Sequence, residues 1–303
     1  MKKMLVTGGT VFVSRYAAQY FSQRGWKVYV LNRNTKPQLN GVTLIQADRH
    51  ALGDCLKGMG FDAVLDITAY NAQDVNDLLD ALSGFDDYLL ISSSAVYPEW
   101  EKQPFSEETP VGENRIWGQY GKDKIAAETA LLSRVPSAYI IRPPYLYGQM
   151  NNVYREAFVF DCALQNRRFY LPKDGSLPLQ FFHVEDLCRF MEILLNQKPE
   201  QRVFNVGNPE TVSVKAWTEL CYRAAGKQAE FVCVNKDIDQ RSYFCFYDYA
   251  YALDVSAQAV LMPKVKRLEE GLKEAFAWYL EHESDVRKKP LIEYIDQCLN
   301  VEP

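Results

Sequence analysis

Short apolar runs and segments of helical periodicity alternate through the first half of the chain. Residues 4–8 (MLVTG) read as a strand, and residues 12–24 carry the apolar spacing of a helix closed by Gly25. Further strands are read at 27–31 (KVYVL), 42–46 (VTLIQ), 63–67 (AVLDI), 88–92 (YLLIS) and 138–142 (AYIIR). They are apolar almost throughout instead of alternating, the pattern of strands covered by helices on both faces. Helices over 50–58, 72–83 and 119–134 lie between them. Alternation at this spacing predicts an α/β fold with a doubly wound, parallel, Rossmann-type sheet.

After Arg142 the texture changes. PPYLYG (143–148) reads as a loop, 151–166 as a helix and KDGSLP (173–178) as a polar turn. Residues 180–195 read as a short strand running into a helix, 202–207 as a late sheet strand, and 213–225 and 266–282 as helices. There is no internal repeat and no low-complexity linker. The expected organisation is a Rossmann domain over 1–150, to which 180–207 returns. A smaller, discontinuous α+β lobe from 151–179 and 208–303 would hold the substrate.

Composition narrows the classes. With 303 residues, 48 % apolar and 24 % charged, the chain can bury a core without covalent staples. A net charge of −5 with no basic block argues against a nucleic-acid surface and suits a small-molecule partner. The seven cysteines are odd in number and never spaced as CxxC, so free thiols in a reducing compartment are expected. Three histidines are too few for a multi-histidine metal site, and no metal is expected. The N-terminal apolar run is too short for a signal peptide, and no stretch has the length of a membrane span. The expected location is the cytoplasm, and a homodimer is compatible with the chain.

Candidate chemistry begins where the first strand hands over to a helix. In MLVTGGTVFVS, Gly8 and Gly9 supply a permissive backbone, so that N–H groups of the turn and the helix start can receive a pyrophosphate. Leu31-Asn32-Arg33 ends the second strand, where an acidic residue would accept from the ribose 2′-OH of NAD. A neutral residue followed by a cation there favours NADP modestly over NAD, through Arg33 and a 2′-phosphate. Farther along, Tyr120-Gly-Lys-Asp-Lys124 places a phenol and an ammonium on one helix face, and a nearby cation brings a tyrosine toward the range of a useful base.

TGGTVFVS resembles the TGxxGxxG fingerprint of extended short-chain dehydrogenases/reductases, with Val11 and Ser14 at the second and third glycine positions. Tyr120, Lys124, Ala126, Ala127 and Glu128 complete a YGxxKxxAE that resembles the catalytic helix of that superfamily's NAD(P)-dependent epimerase/dehydratase family, and IRPPYLYG and LQFFHVEDL resemble later family segments. The resemblance covers nearly the whole chain. It implies a dinucleotide against Gly8, Gly9, Thr10, Val11, Phe12, Val13, Asn32, Arg33, Asp48 and Arg49. Thr68, Ala69, Tyr70, Ser92, Tyr120, Lys124 and Pro143 would complete its site. Aligned on Val96-Tyr97, the family's catalytic Ser/Thr falls on Ser93, giving a Ser93–Tyr120–Lys124 set.

The acidic pair that family dehydratases carry after that serine is replaced by Ser94 and Ala95, which favours epimerisation or reduction over elimination. A sugar or nucleotide-sugar substrate is implied. The arginine that often grips the diphosphate in the family is replaced by Leu179 and Gln180, leaving Arg155, Arg167, Arg168 or Arg241 to supply such a charge. His183 reads as structural, and the aromatic run 242–251 as packing or a wall of the substrate cleft. The alternative is a dinucleotide-binding regulatory or RNA-associated protein on the same fold.

Overall fold

The computed structural model describes residues 1–299. The strands and helices are, in chain order, β1 (Lys3–Thr7), α1 (Phe12–Gln23), β2 (Lys27–Asn32), β3 (Thr43–Gln46), β4 (Gly60–Asp66), α2 (Ala72–Ala81), β5 (Gly84–Ile91), α3 (Gln119–Arg134) and β6 (Tyr139–Arg142). Then follow β7 (Tyr145–Tyr147), α4 (Glu156–Leu164), β8 (Phe169–Pro172), β9 (Pro178–Leu179), β10 (Phe181–His183), α5 (Val184–Gln197), β11 (Val203–Asn205), β12 (Val212–Ser213), α6 (Val214–Ala224) and β13 (Phe231–Val234). The last helices are α7 (Ser256–Leu261), α8 (Leu268–His282) and α9 (Leu291–Tyr294).

Seven strands form the central sheet in the order β11-β6-β5-β4-β1-β2-β3, and every pairing is parallel. This is the doubly wound sheet expected from the strand pattern. Its order reverses between β1 and β4, where open α/β sheets bind ligands beyond the strands' carboxyl ends. Alternate side chains of β1 explain the two-sided covering. Met4 and Val6 pack with Ala17 and Phe21 of α1 and Leu187 and Met191 of α5. Leu5 packs on the other face with Val75 and Leu78 of α2 and Ala127 and Leu131 of α3. β11 joins the sheet edge beside β6, so the chain after α5 is tied back to the first half. A third core, with Phe158, Phe160, Phe169, Trp217 and Leu272 among its members, lies in the later part of the chain.

Three sequence expectations need correction. Residues 50–58 form successive turns, not a helix. Gly53 and Gly58 take positive φ, and the bonds run from Cys55 N to Leu52 O and from Met59 N to Leu56 O, one residue tighter than an α-helix. PPYLYG contains β7, which pairs in parallel with β10 some thirty-five residues later, a partner that no local pattern reveals. The expected helix 151–166 starts only at Glu156, because Asn151 Oδ1 holds the Val153 N–H in a turn and Val153 bridges to Arg287.

Candidate active site

The loop after β1 is pinned to β2 at both ends of Gly8. Its N–H donates to Leu31 O at 2.9 Å, and Asn32 Nδ2 donates to its carbonyl at 2.6 Å. Gly8 has φ +90°, and a Cβ there would lie 2.8 Å from both Ser14 Oγ and Thr68 Cγ2, so only glycine fits. Val11 caps α1 without a side-chain hydrogen bond, which leaves the first-turn N–H groups for a ligand. Ser14 is buried and its hydroxyl turns back to Val11 O at 2.9 Å. Phe12 and Val13 line the cleft over the sheet edge. Thr10 and Val11, again with Phe12, line a separate one beside Arg15 and Lys36. The cradle therefore suits a dinucleotide pyrophosphate, and neither replaced glycine puts a side chain over the sheet edge.

One cleft, of about 350 Å³, is bounded by Gly8, Asn32, Arg33, Asp48, Arg49 and Thr68, with Tyr70 beside them. Arg33 is exposed, with no carboxylate in ion-pair reach among the described residues. Asp48 accepts from His50 N at 3.0 Å. Arg49, expected against the cofactor, is committed elsewhere as well. Its Nη2 donates to both oxygens of Asp66 at 2.9 and 2.8 Å, and its Nη1 to Thr68 Oγ1 at 3.1 Å. Asp66 is fully buried and also accepts from Thr7 Oγ1 at 2.8 Å and Tyr88 OH at 2.6 Å. This knot ties the ends of β1 and β4 beneath the cleft. An aspartate in an otherwise apolar strand was its one sequence signal.

A second cleft, of about 340 Å³, lies over the ends of β5 and β6 and shares Tyr70 with the first. Ser93, Tyr120, Lys124, Ser92 and Pro143 all line it. α3 reaches Ser93 because Gly121 lets it pass close: a Cβ at 121 would lie 2.5 Å from Ala95 O. Ser93 Oγ accepts from Ala95 N at 3.2 Å. Tyr120 is 39 % exposed as a residue, yet desolvation of its phenol in the cleft raises it above its ordinary value, while hydrogen bonding from Ser93 and, least, the charge of Arg155 favour the phenolate. Lys124 is buried, and burial holds its ammonium down at about 8, against the pull of Asp66 and Glu128. Its Nζ donates to Ala69 O at 2.7 Å and Ile91 O at 2.9 Å, leaving one of three N–H groups for a ligand.

Two expectations about this cleft change. Lys124 stands beside Tyr120, its Nζ 6.0 Å from the ring centre, but two of its N–H groups are taken by backbone carbonyls, and Arg155 lines the same cleft. Ser92 reaches the cleft, but its hydroxyl is engaged by Glu128 Oε1 at 2.5 Å. Trp117, Tyr145, Tyr251 and Arg155 also line the cleft. The run 242–251 divides: Phe244 and Phe246 are core, while Tyr251 faces the cleft.

His183 is fully buried and accepts from Glu185 N at 3.3 Å, capping α5. It forms with Glu185 and Glu274 a group whose ligand atoms lie within 4.8 Å of one another. The Lys266 ammonium sits between the two carboxylates at 2.5 and 2.6 Å, where a cation would have to be. Among the described residues no helix is long and apolar enough to cross a membrane.

A parallel sheet with a glycine turn after β1 and ligand-sized clefts over its carboxyl edge defines a Rossmann-type nucleotide-binding protein. The chain belongs to the NAD dependent epimerase/dehydratase family, whose model matches residues 4–207, and is thereby an enzyme of the extended short-chain dehydrogenase/reductase kind. An Arabidopsis thaliana relative, chloroplast stem-loop binding protein of 41 kDa b, is 28 % identical over 300 residues, covering 91 % of this chain and 78 % of its own. The dTDP-glucose 4,6-dehydratase of Bacillus anthracis, solved with NAD, superposes with a TM-score of 0.76 at 20 % identity, over 96 % of this chain and 100 % of that one. UDP-glucuronic acid 4-epimerase of Bacillus cereus, solved with UDP-glucuronic acid and NAD, gives 0.73 at 17 % identity, over 92 % and 99 %.

Proposed function

We propose that this chain is an NAD(P)-dependent epimerase or reductase of a sugar or nucleotide sugar, with Ser93, Tyr120 and Lys124 as its catalytic set. The meeting of Ser93 and Tyr120 in one cleft at the carboxyl end of β5, with Lys124 buried a turn farther along α3, carries the reading. A bound nicotinamide supplies the hydride acceptor and donor. Tyr120 takes the proton of the substrate hydroxyl on its phenolate oxygen and returns it when the carbonyl is reduced. Ser93 holds that substrate oxygen. Lys124, through its remaining N–H, orients the ligand beside Tyr120. With Ser94 and Ala95 buried and no acid at either position, this cleft lacks the general acid an elimination would need there.

Arg33 supports a preference for NADP over NAD, and Thr68 and Tyr70 would meet the cofactor between the two clefts, whereas Ala69 is fully buried and gives its carbonyl to Lys124. In this reading 1–150 with 180–207 forms the dinucleotide domain. Residues 151–179 and 208–303 form the substrate lobe, whose last four residues lie outside the described part, and the enzyme works in the cytoplasm. Calorimetric titration with NAD, NADH, NADP and NADPH tests the reading. Micromolar binding of at least one supports it, and no binding of any overturns it.

The relative named for stem-loop binding favours a second reading, RNA association. It is the weaker one, because a net charge of −5 gives little of the counterion release that drives such binding. Steeply salt-dependent binding of a stem-loop RNA would revive it.

A further inference from the structure

On the lobe side of the second cleft, Arg155 stands over Tyr145 and Arg241 lies behind it on Tyr247 and Phe244, neither with a counter-charge among the described residues. Arg155 Cζ lies 5.0 Å from the Tyr145 ring centre and 5.8 Å from that of Phe246. Arg241 Cζ lies 4.7 Å from the Tyr247 ring, and its Nη1 donates to Phe244 O at 3.2 Å. Neither guanidinium has a carboxylate in ion-pair reach among the described residues. The neighbouring Glu156 directs Oε1 to Asn151 Nδ2 at 2.9 Å and to the Gly148 N–H at 3.3 Å. The Asp239 carboxylate accepts the Arg241 backbone N–H, at 3.0 Å. The Tyr145 hydroxyl, on a residue 5 % exposed, is buried with no hydrogen-bond partner among the described residues. A donor left without an acceptor in a buried site is costly, and so are like charges gathered without a counter-ion. One ligand group cures both faults: an oxyanion.

We propose that Arg155, Arg241 and the Tyr145 hydroxyl form an oxyanion site that takes the phosphate of a compact sugar phosphate and holds the sugar toward Tyr120. This deepens the reading of the cleft as catalytic and rests on it. Arg155 and Tyr120 line the same cleft, so an anion held on Arg155 shares it with the phenol. A cleft of about 340 Å³ that must also admit a nicotinamide is at the small end for ligand sites, which favours a substrate without a nucleotide. The ring faces of Trp117, Tyr145 and Tyr251 would pack against the sugar's C–H faces.

Calorimetry on the cofactor-free full-length protein tests the site by itself, with glucose 6-phosphate, inorganic phosphate, UDP and glucose as probes. Glucose 6-phosphate is expected to bind, glucose not. Arg155→Gln and Arg241→Gln should each weaken glucose 6-phosphate by about ten- to a hundredfold, the range of a charge-assisted hydrogen bond. Tyr145→Phe, which keeps the ring packing, should weaken it several-fold, and Arg155→Lys should recover part of the loss. If Arg155→Gln does not fold, Tyr145→Phe and Arg241→Gln decide. Wild-type affinity in both, or binding of UDP but not glucose 6-phosphate, overturns the proposal. Dinucleotide titration of the same variants separates the two failures. Lost dinucleotide binding in the wild type strikes the catalytic reading, whereas lost phosphate discrimination strikes only this site.

Discussion

Glu128 and Arg142 are buried against each other beneath α3, with Arg142 Nε 2.9 Å from Glu128 Oε1 and Nη2 2.5 Å from Oε2. Arg142 Nη1 also donates to Tyr97 OH at 2.8 Å, and Tyr97 OH to Asn205 Oδ1 at 2.8 Å. With Ser92 on Glu128, one polar chain thus joins α3, β5, β6 and β11 under the cleft. Breaking such a pair from one side leaves a buried charge uncompensated. Arg142→Leu is expected to cost about 3–5 kcal/mol in urea unfolding, far more than a surface substitution. A loss below about 1 kcal/mol would mean that water reaches Glu128.

Tyr120→Phe should fold and bind dinucleotide normally while losing at least about a hundredfold in turnover, the scale of a positioned acid/base. Steady-state rates alongside cofactor titration check this. Near-normal turnover removes Tyr120 from the mechanism.

Lys124 links stability to pH. Its folded value of about 8 lies below the ordinary 10.5. Below pH 8 folded and unfolded chains both hold the proton, and the folded one bears the desolvation cost. Between 8 and 10.5 the unfolded chain holds a proton that the folded chain has released, so this residue's contribution to stability rises with pH. At about 1.4 kcal/mol per unit the gain across that window is on the order of 3 kcal/mol. Unfolding free energies of wild type and Lys124→Met at pH 7, 8, 9 and 10 read it as a difference growing in favour of the wild type. A flat difference refutes the depressed value.

Arg33, exposed and unpaired at the end of β2, should make NADP(H) bind about ten- to a hundredfold more tightly than NAD(H). Arg33→Ala should erase most of that preference and leave NAD affinity nearly unchanged. Added salt should weaken NADP more than NAD. Equal dissociation constants in the wild type sink the idea.

Val11 and Ser14 depart from the glycine fingerprint, yet Ser14 turns its hydroxyl onto Val11 O and Val11 lines a different cleft. Restoring glycine at both positions should therefore change the affinity for either dinucleotide by less than about threefold, because the pyrophosphate is held by backbone N–H groups that neither side chain covers. Joint tightening of NAD and NADP would show that the side chains crowd the pyrophosphate.

The order of strands and helices, the glycine turn after β1 and the phenol–ammonium spacing on α3 were legible in the sequence because each depends on neighbours within a few residues. Apolar runs need covering whatever lies far along the chain, and residues four apart share a helix face wherever the helix goes. The tertiary structure alone decided the rest. It paired β7 with β10, turned 50–58 away from a helix, and hid the Arg49–Asp66 knot under the cleft. It also drew Lys124 onto two carbonyls and brought Arg155 into the cleft of Tyr120. These outcomes depend on groups many residues apart meeting in a low-dielectric interior, where a buried charge must find its partner. Which partner it finds is set by the packing of the whole chain.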